Sequence, residues 1–167
     1  MRGVKWAGAQ ASTPLLHTPL GGVEMRRRHI DRTGEQEGLG RILIVDDDPG
    51  IQAVLMEALS RRGYQVQGAP NGLWVCRALR AGAFCFDLVI LDWKMPGLDG
   101  LAVLQQLQTL VPETPVILIS SAADDQLRLA ALRLGAFEVL RKPLNFGVLA
   151  FLVERALQQK WSEGTNH

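Results

Sequence analysis

From Arg41 onward, short apolar runs rich in β-branched residues alternate with stretches whose apolar positions recur at helical spacing. Ile42–Val45 reads as a first strand. Asp48 can cap the following helix with Pro49 at its first position. Ile51, Val54, Leu55, Ala58 and Leu59 then repeat until Gly63 stops it. Tyr64–Gly68 predicts a second strand. Leu73–Arg80 predicts a second helix, with Leu73, Cys76 or Ala78, and Leu79 on its inner face. Leu88–Leu91 is a third strand, and Leu101–Leu110 a third helix closed by Pro112. Val116–Ile119 and Phe137–Leu140 are strands four and five. Helices are expected over Asp125–Leu134, ended by Gly135, and from Phe146 to about Lys160.

Strict alternation of strand and helix implies parallel pairing through right-handed crossovers. Runs such as Ile-Leu-Ile-Val and Val-Ile-Leu-Ile are apolar on both sides, so helices should cover both faces of the sheet. The expected class is therefore α/β, a doubly wound five-stranded parallel sheet, and if its order is the flavodoxin-like 2-1-3-4-5, strands one and three are neighbours at the switch point.

Composition adds limits. At 167 residues with 47% hydrophobic side chains, the chain suits one domain with an ordinary core. The net charge of +1 hides an asymmetry: residues 1–41 carry seven Lys and Arg against four acids, and the remainder eleven against thirteen. Residues 1–40 hold seven glycines and two prolines without periodicity, which predicts a disordered basic extension. Met25 stands there as a second candidate start. Arg26, Arg27 and Arg28 read as solvated charges rather than a nucleic-acid footprint, so no direct DNA binding is expected. Cys76 and Cys85 have neither CxxC spacing nor His partners, which speaks against metal or redox roles. No run approaches the roughly 20 apolar residues of a membrane span, and the N-terminus lacks a signal-peptide core. The expectation is a cytoplasmic protein with no membrane contact. Trp161–His167 are expected to form a short tail after the fifth helix, with no output domain.

Chemistry gathers where strands end. In open parallel sheets, ligands bind beyond the carboxyl ends of the strands, near the switch in strand order. Asp46 and Asp47 follow strand one and Asp92 follows strand three, so the expected order brings three carboxylates into one crevice. Such a cluster calls for a divalent cation with oxygen ligands, Mg²⁺ in type, or for raised pKa values. Ser120 leaves strand four and Lys142 leaves strand five just before Pro143. A hydroxyl and a cation facing metal-bound carboxylates would cradle a phosphoryl group. Each residue also has an ordinary explanation: Asp92 as a turn starter, Ser120 as a turn hydroxyl, Lys142 as a solvated charge. Asp48, Asp99, Asp124 and Asp125 sit at helix starts, where capping and the helix dipole account for them. Asp87 precedes strand three, at the opposite end.

The segments Ile-Leu-Ile-Val-Asp-Asp-Asp-Pro, Leu-Val-Ile-Leu-Asp-Trp-Lys-Met-Pro-Gly-Leu-Asp-Gly, Pro-Val-Ile-Leu-Ile-Ser and Arg-Lys-Pro resemble, in order, the signature of the receiver domain of two-component response regulators. The resemblance covers about residues 41–160 and implies a single-domain phosphoacceptor switch. Asp92 would take a phosphoryl group from a sensor histidine kinase or a histidine phosphotransfer protein. Asp46 and Asp47 would hold Mg²⁺, with Asp47, Asp92 and the backbone carbonyl of Lys94 as direct ligands. Ser120 would bond a phosphoryl oxygen and Lys142 would pair with the phosphate. The resemblance also implies a cis bond before Pro143 and signalling through a downstream protein target.

Two positions depart from the family pattern. Val139 stands where receivers commonly carry an aromatic switch residue, and Lys94 places a cation two residues after the acceptor. Lys94 also disfavours an aspartyl-phosphate enzyme, which would need an acid there; the protein reads as a regulatory phosphoacceptor and not an enzyme. A nucleotide-binding loop is disfavoured because Gly38 and Gly40 precede strand one instead of following it. A receiver-like interaction module that accepts no phosphate, and a phosphorelay intermediate passing its phosphate to a histidine, complete the alternatives.

Overall fold

The computed structural model describes residues 39–122 and 125–164; the readings for residues 1–38, Asp124 and residues 165–167 lie outside them. The elements run β1 (Arg41–Val45), α1 (Pro49–Ser60), β2 (Gln65–Ala69), α2 (Gly72–Arg80), β3 (Leu88–Asp92), α3 (Gly100–Leu110), β4 (Val116–Ser120), α4 (Asp125–Arg133), β5 (Glu138–Arg141) and α5 (Phe146–Gly164). The strands pair in parallel in the order β2-β1-β3-β4-β5. This is the predicted doubly wound sheet.

Because side chains alternate along a strand, each central strand feeds two cores. Leu43, Val45, Val89, Leu91, Val116 and Leu118 point into a cluster completed by Val75 and Leu79 of α2, Val103, Leu104 and Leu107 of α3, and Ala131 of α4. Ile42, Ile44, Leu88, Ile90, Ile117 and Ile119 meet Leu55 and Leu59 of α1 and Leu149, Val153, Ala156 and Leu157 of α5 on the other face. Fully burying each Leu or Ile contributes about 1.5–3 kcal/mol. The apolar continuity of β3 and β4, buried at every position, follows from this two-sided cover.

Three expectations are corrected. Leu73 is not on the inner face of α2; it is half exposed, and Gly72, Val75, Cys76 and Leu79 are buried instead. Asn71 caps that helix by accepting the Trp74 N–H, which fixes its rotation, and Gly72 fits against Val103 and Leu98 where a Cβ would overlap. Val54, though in the apolar rhythm of α1, also faces outward. The last helix runs past Lys160 to Gly164, because Trp161 packs on the α1/α5 core and over Gly40.

Candidate functional site

Strand register delivers the acids to one place. Val45 lies between Ala69 and Leu91 of its neighbours, so Asp46, the next residue, emerges beside Asp92 at the end of β3. Carboxylate oxygens of Asp46, Asp47 and Asp92, one from each, lie within 4.8 Å of one another. Asp46 and Asp92 are buried, whereas Asp47 is exposed. Lys142 bridges the buried pair: its Nζ is 2.9 Å from Asp92 Oδ1 and 3.2 Å from Asp46 Oδ2. Lys142 is carried there by the end of β5, its N–H donating to the Ser120 carbonyl at 2.9 Å. The Lys142–Pro143 peptide bond is cis, as the resemblance implied.

The electrostatics of the pair are unequal. Burial pushes the Asp92 carboxyl up; the Lys142 hydrogen bond opposes this, and the charges of Asp46 and Asp47 add to the rise. Lys142 is itself held above the usual lysine value, because its contacts with Asp92 and Asp46 outweigh the burial that would lower it. The attraction therefore appears on the lysine, while on Asp92 it is outweighed by burial and crowding. Three carboxylates answered by one ammonium leave an acidic excess that suits a hard, oxygen-seeking divalent cation.

Ser120 is buried at the end of β4, adjacent to Asp92 through the β3–β4 register, and its Oγ accepts the Ala122 N–H at 3.1 Å. Lys94 lies exposed in the loop after Asp92. That loop turns back at once: Trp93 N–H donates to Ile119 O at 2.7 Å, Met95 is buried beneath, and Gly100 N–H donates to Trp93 O at 2.9 Å. A Cβ on Gly100 would stand 2.8 Å from Asp92 O and from Trp93 Cα, so only glycine lets α3 start this close to the acid. Val139 is buried in the α2/α3/α4 core.

The acids set aside as structural behave so. Asp48 accepts from Gly50 and Ile51 N–H groups, and Asp99 from Ala102 N–H. Asp125 occupies the first turn of α4. Asp87 accepts the Arg41 N–H at 2.8 Å and pairs with Lys160 at 3.4 Å, at the far end of β3. Gln52 of α1 went unnoticed in the sequence, yet its side chain bonds the Asp46 carbonyl. A polar residue beside Ile51, in the otherwise apolar first two turns of the helix, is its one signal.

Fold and acid cluster together define a doubly wound α/β domain with three carboxylates gathered at its β1/β3 switch point. Residues 42–154 match the response regulator receiver domain, and the chain belongs to that family of two-component signalling proteins. Regulatory protein AtoC of Escherichia coli K12 is 36% identical over 121 residues, 72% of this chain and 26% of that protein. The DNA-binding transcriptional regulator NtrC of the same strain is 37% identical over 118 residues, 71% of this chain and 25% of that one. The chain thus spans about a quarter of the length of these curated relatives. A response regulator receiver domain protein from Clostridium thermocellum superposes with a TM-score of 0.67 at 30% identity, covering 72% of this chain and 95% of that one. A CheY-like receiver protein from Methanospirillum hungatei gives 0.69 at 28%, covering 74% and 97%. Among the described residues, no helix is long and apolar enough to cross a membrane.

Proposed function

We propose that this chain is a phosphoacceptor switch in which Asp92 receives a phosphoryl group from a phosphohistidine of a sensor kinase or phosphotransfer protein. The observation that carries this reading is Lys142 Nζ set between Asp92 and Asp46, with the third carboxylate of Asp47 inside the same 4.8 Å cluster. An Asp92 carboxylate oxygen attacks phosphorus; the phosphorus–nitrogen bond breaks and its electron pair stays on the imidazole. The product is an acyl phosphate, which water later hydrolyses. The pressures that raise the Asp92 pKa also make its ionised form the more basic, and so the more avid, nucleophile.

Asp46, Asp47, Asp92 and the backbone carbonyl of Lys94 would hold Mg²⁺, which when bound screens the charge that builds between carboxylate and phosphoryl oxygens. Lys142 already leans on Asp92, and neutralises the new dianion from the same position. Ser120 turns its hydroxyl from Ala122 toward a phosphoryl oxygen, drawing the start of α4 with it. Signalling then passes to a separate protein that distinguishes the two states of the surface formed by α4, β5 and α5.

Acetyl phosphate and Mg²⁺ should add one phosphoryl group to the wild type, read by intact mass, and none to Asp92→Asn. Equal labelling of the two proteins would overturn the assignment. Trp93 adjoins the acceptor, so tryptophan fluorescence should change with millimolar Mg²⁺, and Trp93→Phe should abolish the change.

A further inference from the structure

The side chain of Gln52, in the first turn of α1, is turned to the sheet and not to solvent. Its Nε2 lies 2.6 Å from Asp46 O and 2.7 Å from Ala69 O, so both amide hydrogens are given to carbonyls at the ends of β1 and β2. Asp46 N–H also donates to Ala69 O, at 3.3 Å. Asp46 Oδ1 accepts the Asp48 N–H at 2.9 Å, and Oδ2 receives Lys142. Every polar atom of Asp46 is thereby held. The Asp46 carbonyl belongs to the same peptide unit as the Asp47 nitrogen. Fixing that carbonyl therefore sets the plane from which the exposed Asp47 side chain departs.

Gly68 of β2 belongs to the same arrangement. A Cβ there would overlap the Gln52 carboxamide oxygen and lie 3.3 Å from Met56 Sδ. Glycine inside a strand ordinarily weakens it, and often marks a place where something approaches closely. Here the thing that approaches is the Gln52 carboxamide, which bonds the Asp46 carbonyl.

We infer that Gln52 is a positioning residue for Asp46 and Asp47: α1 reaches across the β1/β2 exit and presets their backbone for a divalent cation. This rests on the Mg²⁺ reading given under Proposed function. Partners that orient ligands typically change metal affinity by about 10- to 100-fold when removed. Gln52→Met keeps the length and removes both donors. It should raise the Mg²⁺ midpoint about tenfold in a fluorescence titration, with acetyl phosphate labelling recovered once Mg²⁺ saturates. Gly68→Ala should raise the midpoint in the same direction by displacing an intact Gln52, and it carries the test alone if Gln52→Met does not fold. The double variant should show no further rise, because both changes break one contact.

A lowered melting temperature with an unchanged Mg²⁺ midpoint would reduce Gln52 to a structural brace and overturn the inference. A wild type whose fluorescence ignores Mg²⁺ would overturn the site reading itself, and this inference with it.

Discussion

At Asp92, burial is the largest pressure and raises the carboxyl pKa, Lys142 opposes it, and the charges of Asp46 and Asp47 add to the rise. The sign of the consequence follows from proton linkage. A carboxyl whose folded-state pKa lies above its unfolded value binds more protons when folded, so stability falls as pH rises from the usual carboxylate range through the raised value. Asp92→Asn should therefore melt at a higher temperature than the wild type at neutral pH in Mg²⁺-free buffer. The gap should close as pH drops below the usual carboxylate range; a variant less stable than wild type at neutral pH would contradict the argument. Lys142→Met should act oppositely, since it leaves two buried carboxylates without their cation. A loss on the order of 2 kcal/mol by denaturant unfolding is expected. These side chains were legible in the sequence because each sits within two residues of the end of an apolar run. Their contacts were not, because Lys142 meets Asp46 and Asp92, and Gln52 the Asp46 carbonyl, through a geometry that no spacing announces.

Among the elements, α4 is the most lightly held. Ala131 is its one buried residue among those described, and Arg128 reaches across to Glu138 of β5, with Nη2 at 2.9 Å and Nε at 3.2 Å from Oε1. Burial pushes the Glu138 carboxyl up, but the Val139 N–H and Arg128 together hold it below the usual range. A depressed acid stabilises the fold above its unfolded pKa, and that contribution disappears as pH falls through the folded value. Glu138→Gln should cost about 0.5–1 kcal/mol at neutral pH, a modest figure because Arg128 is half exposed. The difference from wild type should vanish in acid. Native-state hydrogen exchange should find α4 opening more readily than the helices with full core faces. Element types were readable from period alone, yet the face of α2 was not. Leu73 outweighs Gly72 in hydrophobicity, but α2 lies so close to α3 that only glycine fits against Val103, which leaves Leu73 half exposed to water.

On the scale of the molecule, two cores share one sheet, and α5 closes one of them with its last turns. Leu157 is buried, Lys160 pairs with Asp87, and Trp161 packs against the α1/α5 core, although the family match ends at residue 154. A fragment ending at residue 154 should be markedly less stable than the intact chain; equal melting temperatures would show that the last turns add little. The layered order was legible because two-sided apolar strands admit few other arrangements. The full length of α5 was not, since Ser162, Glu163 and Gly164 give its last turn the look of a tail.

The Asp87 contacts have one more consequence. They moor β3 at its foot, to Arg41 of the neighbouring strand and to Lys160 of α5, five residues below the acid at its tip. With the ladders to β1 and β4 these contacts oppose lengthwise slippage of β3, so the charge that the proposed phosphorylation would add at its summit is expected to be relieved laterally, across the sheet toward its loosest helix.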